Sequence, residues 1–274
     1  MAALGLALEI FGPAALVAGV TSLVVALLGP CLFSPTANER FTFPAALAIG
    51  YCAGYAALPW SRAAFSQLAG AIDAREHSNL QRMWTMIAPE QPWQWLPYLG
   101  VAVAAVGTAA QGRHWALRWL ALSTTAILSG SLLTPTWAIF GVPWPASIGI
   151  LSAYLLCIAA MLELLPSPLS VHALVALLAL VAAVTAVCVA AAISVRFAQL
   201  ASLAAAALAG CWLAGFAAGK PMEGARRGLI PIFAVLVGGV AFAACVEPER
   251  PLLALLVLPA LPLATSPFAR RTIG

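Results

Sequence analysis

Ionisable side chains are scarce in this chain, so any that fall inside apolar runs are candidates for chemistry. Glu9 lies about two turns into the first apolar segment. A carboxylate at that depth can bind a proton or a cation, or pair with an arginine on another helix. The structural alternative is that the segment starts later and Glu9 sits among the headgroups. Glu163 closes another apolar run ahead of Leu164-Leu165-Pro166, and Arg196 stands in a tight connection; both read as interfacial anchors. A further run is rich in hydroxyls, with Ser123, Thr124, Thr125, Ser129 and Ser131. Such groups line a wet path, bridge helices, or bond back to their own helix, the last being the plainer reading. Glu9, Ser123, Thr124, Ser131 and Glu163 therefore make up the candidate intramembrane or interfacial polar site. Asp73, Arg75, Glu76, His77 and Arg82, in the one long polar stretch, make up a candidate surface site.

Other chemistries find less material. Haem held in a bundle needs facing ligands such as two histidines. His77 lies in the polar stretch, while His114 and His172 open apolar runs, so they read as titratable surface or interface groups. The six cysteines (Cys31, Cys52, Cys157, Cys188, Cys211 and Cys245) include no C-x-x-C pair, and five sit in apolar runs. They read as small buried hydrophobes, with no disulfide framework and no metal site, although Cys31, at a span end, can meet a lipid or a thiol. There is no P-loop, H-E-x-x-H or G-x-S-x-G. No cofactor is implied.

The elements that must position these residues follow from composition. Of 274 residues, 63% are hydrophobic and 8% charged. Ordinary globular chains carry about 45–50% and about 25%. So few charges cannot clothe a water-facing surface, so the apolar side chains must face lipid or one another. The 13 Lys and Arg, against 9 Asp and Glu, are too scattered for a nucleic-acid groove and instead flank apolar runs. The expected fold is an all-α polytopic bundle of eight or nine transmembrane helices plus one interfacial amphipathic region, forming a single transmembrane domain over 1–274.

A span needs about 20 apolar residues. The runs are Ala3–Leu28, stopped by Gly29-Pro30, then Phe43–Trp60, Trp95–Ala110, Trp115–Leu133, Trp144–Leu165, Val171–Val195, Ala198–Ala218 and Ile230–Val246. The first lacks the basic start of a cleaved signal and reads as a retained span. A ninth run, Leu252–Ala264, is short, contains Pro259 and Pro262, and either spans or lies at the interface. Glu247, Glu249 and Arg250 make an ordinary turn before it. Trp60, Trp93, Trp95, Trp115, Trp119, Trp137 and Trp144 mark the ends of runs, where an indole meets both lipid and water. Gly50/Gly54 and Gly215/Gly219 are G-x-x-x-G pairs, which let helices approach closely.

The polar stretch Ser61–Gln94 repeats apolar residues at helical spacing: Leu80, Met83, Trp84 and Ile87 share one face. It should lie on the membrane surface with Trp84 and Ile87 toward lipid and Arg75 and Arg82 toward water. With nine spans, five basic residues fall on the N-terminal side and eight on the other, among them Arg40, Arg118, Lys220, Arg226 and Arg227. The positive-inside rule then places the N-terminus outside, in a cell membrane of the bacterial inner-membrane type.

Three functions fit these features: a non-enzymatic permease-like protein or embedded subunit of a membrane complex; a membrane enzyme acting on a lipid or isoprenoid; and a purely structural packing subunit. The expected partners are the lipid bilayer and other membrane subunits, with no nucleic acid. A polar-lined wet path would favour transport. A carboxylate–His–Arg cluster in a headgroup-level pocket would favour an enzyme, and a dry bundle a packing role.

Overall fold

The computed structural model describes residues 2–32, 38–68, 89, 91–110, 114–134, 142–164, 170–192, 194–219, 222–246 and 253–265; side chains at 2–11, 30–32, 38–39, 59–68, 164, 218, 223 and 263–265 are also left aside. The described chain is all-α, with no strand. In order it comprises α1 (Ala2–Leu32), α2 (Asn38–Leu68), a 3-10 turn (Pro92–Trp95), α3 (Leu96–Ala109), α4 (Trp115–Leu133), α5 (Trp144–Leu164), α6 (Val171–Ala192), α7 (Val195–Ala218), α8 (Arg226–Val246) and a terminal 3-10 helix (Leu253–Thr265).

Seven of these helices are long and apolar enough to cross a membrane: α1, α2 and α4 to α8. The expected count of eight or nine falls short at two places. The third run gives an α-helix of only 14 residues, although with its 3-10 lead-in it extends about 29 Å. The ninth run, carrying Pro259 and Pro262, winds as 13 residues of 3-10 helix, about 26 Å long against a hydrocarbon core of about 30 Å. Gly29-Pro30 does not stop α1, which continues to Leu32. A Cβ at Gly29 would meet Thr42 of α2, so this glycine serves close packing of α1 on α2. The 61–94 segment splits: α2 runs on through Leu68, and 69–88 lies outside the described residues.

α8 is the axis of the bundle. Its sequence is apolar on every side after Arg226 and Arg227, and 89% of it is buried, against 28% of the spanning part of α1. A helix that is hydrophobic all round belongs inside. It also departs from regularity twice. Pro231 removes a backbone donor, and Ala234–Gly238 forms a π turn. Gly238 receives Leu155 and Ile158 of α5, and Gly239 receives Leu133 of α4 and Leu96 of α3.

α1, α2 and α7 pack differently, with small residues bringing backbones together. Gly50 and Gly54 of α2 lie on α1, where a Cβ on Gly50 would come within 2.7 Å of the Ala18 carbonyl oxygen and one on Gly54 within 2.7 Å of the Ala18 Cβ. Gly54 also meets Leu203 of α7. Gly19 of α1 faces the Ala206 carbonyl, and Gly210 of α7 faces Ser22 and Leu23. The Ser22 hydroxyl donates to the Ala46 carbonyl at 3.0 Å, tying α1 to α2. The second G-x-x-x-G pair splits its work: Gly215 packs against Met222 and His172, while Gly219 ends α7 in the left-handed region at φ 59°, where glycine carries no Cβ penalty.

Candidate functional site

Successive helices run antiparallel, so the start of α4, the end of α5 and the start of α8 meet at one end of the bundle. There Arg118, one turn into α4, turns inward and is 7% exposed. Its guanidinium grips Glu163 of α5 with two donors: Nη2 to Oε1, and Nε to Oε2 at 3.2 Å. Nη2 also donates to the Arg227 carbonyl of α8 at 3.1 Å. That acceptor is free for a specific reason. In an α-helix the Arg227 carbonyl would receive the N–H of residue 231, and residue 231 is proline. Arg226 reciprocates, donating from Nη2 to the Leu162 carbonyl at 3.2 Å, one of the terminal acceptors of α5. Two arginines and one glutamate thus join three helices through charge-assisted bonds and helix-end carbonyls.

From Arg118 the inward face of α4 continues through Leu122, Thr125, Ser129 and Leu133, at spacings of three and four residues. All five are buried, and Leu133 contacts the Gly239 region of α8. Thr125 bonds back to Ala121 and Leu122. Among the described residues, three buried hydroxyls have no hydrogen-bond partner: those of Ser129, of Thr134, the residue that caps α4, and of Tyr51 on α2. A polar seam therefore follows α4 from one end to the other.

The sequence candidates fall around this seam. Glu163 is part of the ion pair. Ser123 is half-buried beside the seam. Thr124 and Ser131 bond back to the Leu120 and Leu128 carbonyls, each at 2.8 Å, and Thr124 is exposed. Glu9 lies on α1, but its side chain is outside the described residues, as are Asp73, Arg75, Glu76, His77, Arg82, Trp84, Ile87 and Lys220. His114 caps α4, its Nδ1 accepting from the Ala116 N–H at 3.4 Å, and His172 is the second residue of α6. Among the described residues, no three of His, Cys, Asp and Glu converge.

Sequence reasoning missed Arg118, counting it as a loop cation. Its spacing to Leu122, Thr125, Ser129 and Leu133 carried the signal, since an arginine on an inward stripe needs a carboxylate, and an antiparallel α4–α5 hairpin brings Glu163 to the same end. At the opposite end Arg196 lies 5.1 Å from the Trp93 ring centre and donates to Gln91 Oε1 at 3.4 Å, joining α7 to the lead-in of α3.

Set against known proteins, the chain matches no family model, no curated sequence and no solved structure, and its own architecture is what identifies it, as a multi-pass α-helical membrane protein.

Proposed function

We propose that this chain is a permease-like, non-enzymatic membrane protein in which the inward face of α4 lines the route of a small polar solute. The supporting observation is that two of the three buried hydroxyls without a partner among the described residues, Ser129 and Thr134, share α4, whereas the third, Tyr51, stands alone on α2. A buried hydroxyl without a partner costs about 1–3 kcal/mol, and water or a passing solute removes that cost. A purely structural subunit would gain stability from alanine at both positions. The route runs beside α8 where its helix is interrupted by Pro231 and the π turn, and such irregular backbone is tolerated at membrane depth where protein or a wet path surrounds it.

The same reading assigns a bacterial inner membrane, with the Arg118–Arg226–Arg227 end in the cytoplasm and the N-terminus outside. Partner subunits, if present, would bind the lipid-facing surface rather than the seam. The lipid-enzyme alternative requires its reacting groups at one headgroup level, whereas the unsatisfied hydroxyls lie away from the charged cluster.

The test is thiol accessibility in a background with the six native cysteines replaced. Ser129→Cys and Thr134→Cys should react with a membrane-impermeant methanethiosulfonate cation, while Leu47→Cys, in the α1–α2–α7 group, stays inert. Inert cysteines at both α4 positions would remove the permease reading and leave the packing role.

A further inference from the structure

We infer that Arg118, held in place by Glu163, and Arg226 form a clasp that closes one end of the α4 seam by fastening the α4–α5 hairpin to the first turn of α8 through the Arg227 and Leu162 carbonyls. This rests on the permease reading, because a clasp closes something only if the seam behind it is wet.

Three features of the geometry carry the inference. First, the pair sits at one end of the seam, where Arg118 begins the inward stripe that continues to Thr125 and Ser129. Second, its contacts are arranged to be made and released. Arg118 occupies the Arg227 acceptor that Pro231 leaves open, and Arg226 occupies a terminal carbonyl of α5. When these bonds part, both acceptors lie at the bundle end, within reach of water, and no internal helix bond is broken. Third, the surrounding packing differs on the two sides of the clasp. The α4–α5 hairpin is internally tight, with Gly130 set against Ser152 and the Ile148 carbonyl. It meets α8 through side chains, Leu133, Leu155, Ile158 and Tyr154, at Gly238 and Gly239, and the Tyr154 hydroxyl donates to the Leu256 carbonyl of the terminal helix at 2.9 Å. A unit that is stiff within and joined outward by side-chain tips beside a π turn can tilt as one body, pivoting near Gly238, Gly239 and the Tyr154 tether.

At the far end the counterpart is weaker and involves other helices. Arg196 over Trp93 joins α7 to the lead-in of α3. Among the described residues, the arginine–carbonyl bonds between the hairpin and α8 lie at the Arg118 end.

The experiment uses the full chain in oriented vesicles, with native cysteines replaced, Thr125→Cys as reporter and a methanethiosulfonate cation added from the Arg118 side. With the clasp intact, labelling should be slow. Glu163→Gln, which removes the carboxylate that holds Arg118 in place, should raise the rate at least about tenfold. The swap Arg118→Glu with Glu163→Arg, which remakes the ion pair but loses the Arg118 bond to the Arg227 carbonyl, should raise it at least as far. Leu47→Cys reports general loosening and should stay inert in every variant. An unchanged Thr125→Cys rate, with Ser129→Cys still reactive from the Thr134 side, would overturn the clasp and leave the seam. Inert cysteines at Thr125, Ser129 and Thr134 in all variants would overturn the permease reading itself. If Glu163→Gln exposes Leu47→Cys as readily as Thr125→Cys, the pair holds the whole bundle and the clasp is again overturned.

Discussion

The α1–α2–α7 group and the α4–α5 hairpin belong to one bundle but are attached by different chemistry. In the first, Gly19, Gly50, Gly54 and Gly210 bring backbones into contact, and the Ser22 hydroxyl spans α1 and α2. Lipid tails are as apolar as leucine, so close packing and interhelical hydrogen bonds must supply the attraction that water exclusion supplies elsewhere. Such an interface tolerates neither an added methyl nor a tilt. The hairpin instead meets α8 through long side chains and two arginine–carbonyl bonds, and its inward face carries hydroxyls along its length. On the proposed clasp, this contrast separates a fixed scaffold from a releasable unit, with α8 between them.

Substitutions should separate the two regions. The largest effect is expected at Gly210, where any Cβ would run into the α1 backbone at Gly19 and Leu23. Gly210→Leu should abolish recovery of monodisperse protein after detergent extraction. Next comes Arg118→Ala, which leaves Glu163 unpaired at about one-tenth exposure. Removing one partner of a buried pair costs about 3–5 kcal/mol, so thermal unfolding in detergent should shift down sharply. Adding Glu163→Ala to it should recover part of the loss, because the two changes are coupled.

A paired comparison of glycines sharpens the contrast further. Gly50→Ala forces a methyl against Ser22 and Ala18 and should cost about 1–3 kcal/mol, as overpacked sites do. Gly149→Ala, on α5 with nothing within 4 Å, should stabilise by about 0.5–1 kcal/mol through helix propensity. Equal effects at the two sites would erase the distinction between scaffold and hairpin. The smallest effect is expected at Arg196→Gln, which removes a cation–π contact near the surface worth about 0.5–1 kcal/mol and should leave labelling of Thr125→Cys unchanged.

Much of this was legible in the sequence where one physical rule dominates. Apolar length and flanking tryptophans define α4 at both ends, Trp115 and Leu133, and α5 to within a residue. The Gly50/Gly54 spacing announces a close helix contact, which the structure places on α1 and α7. Local rules failed where tertiary contacts compete with them. Gly29-Pro30 looks like a stop, yet α1 continues because packing on α2 favours helix there. The two prolines of 253–265 allow a helix, but of the tighter 3-10 kind. The hydroxyl-rich run was visible, but which hydroxyls turn inward depends on the rotation of α4, fixed by Arg118 at one end and Leu133 at the other. Thr124 and Ser131 fall on the outer sides, and Thr134, beyond the run, falls inside. The Arg118–Glu163 pair spans 45 residues and required the fold to bring it together.

The contrast between the two regions can be measured most directly on the unmodified chain by radiolytic hydroxyl footprinting in nanodiscs, which oxidises side chains that lie next to water. Leu122 and Leu133, flanking Thr125 and Ser129 on α4, should be oxidised well above background, while Leu47 and Leu203, buried in the scaffold, should remain at background. Background oxidation at all four leucines would contradict a wet seam along α4 and, with it, the permease reading.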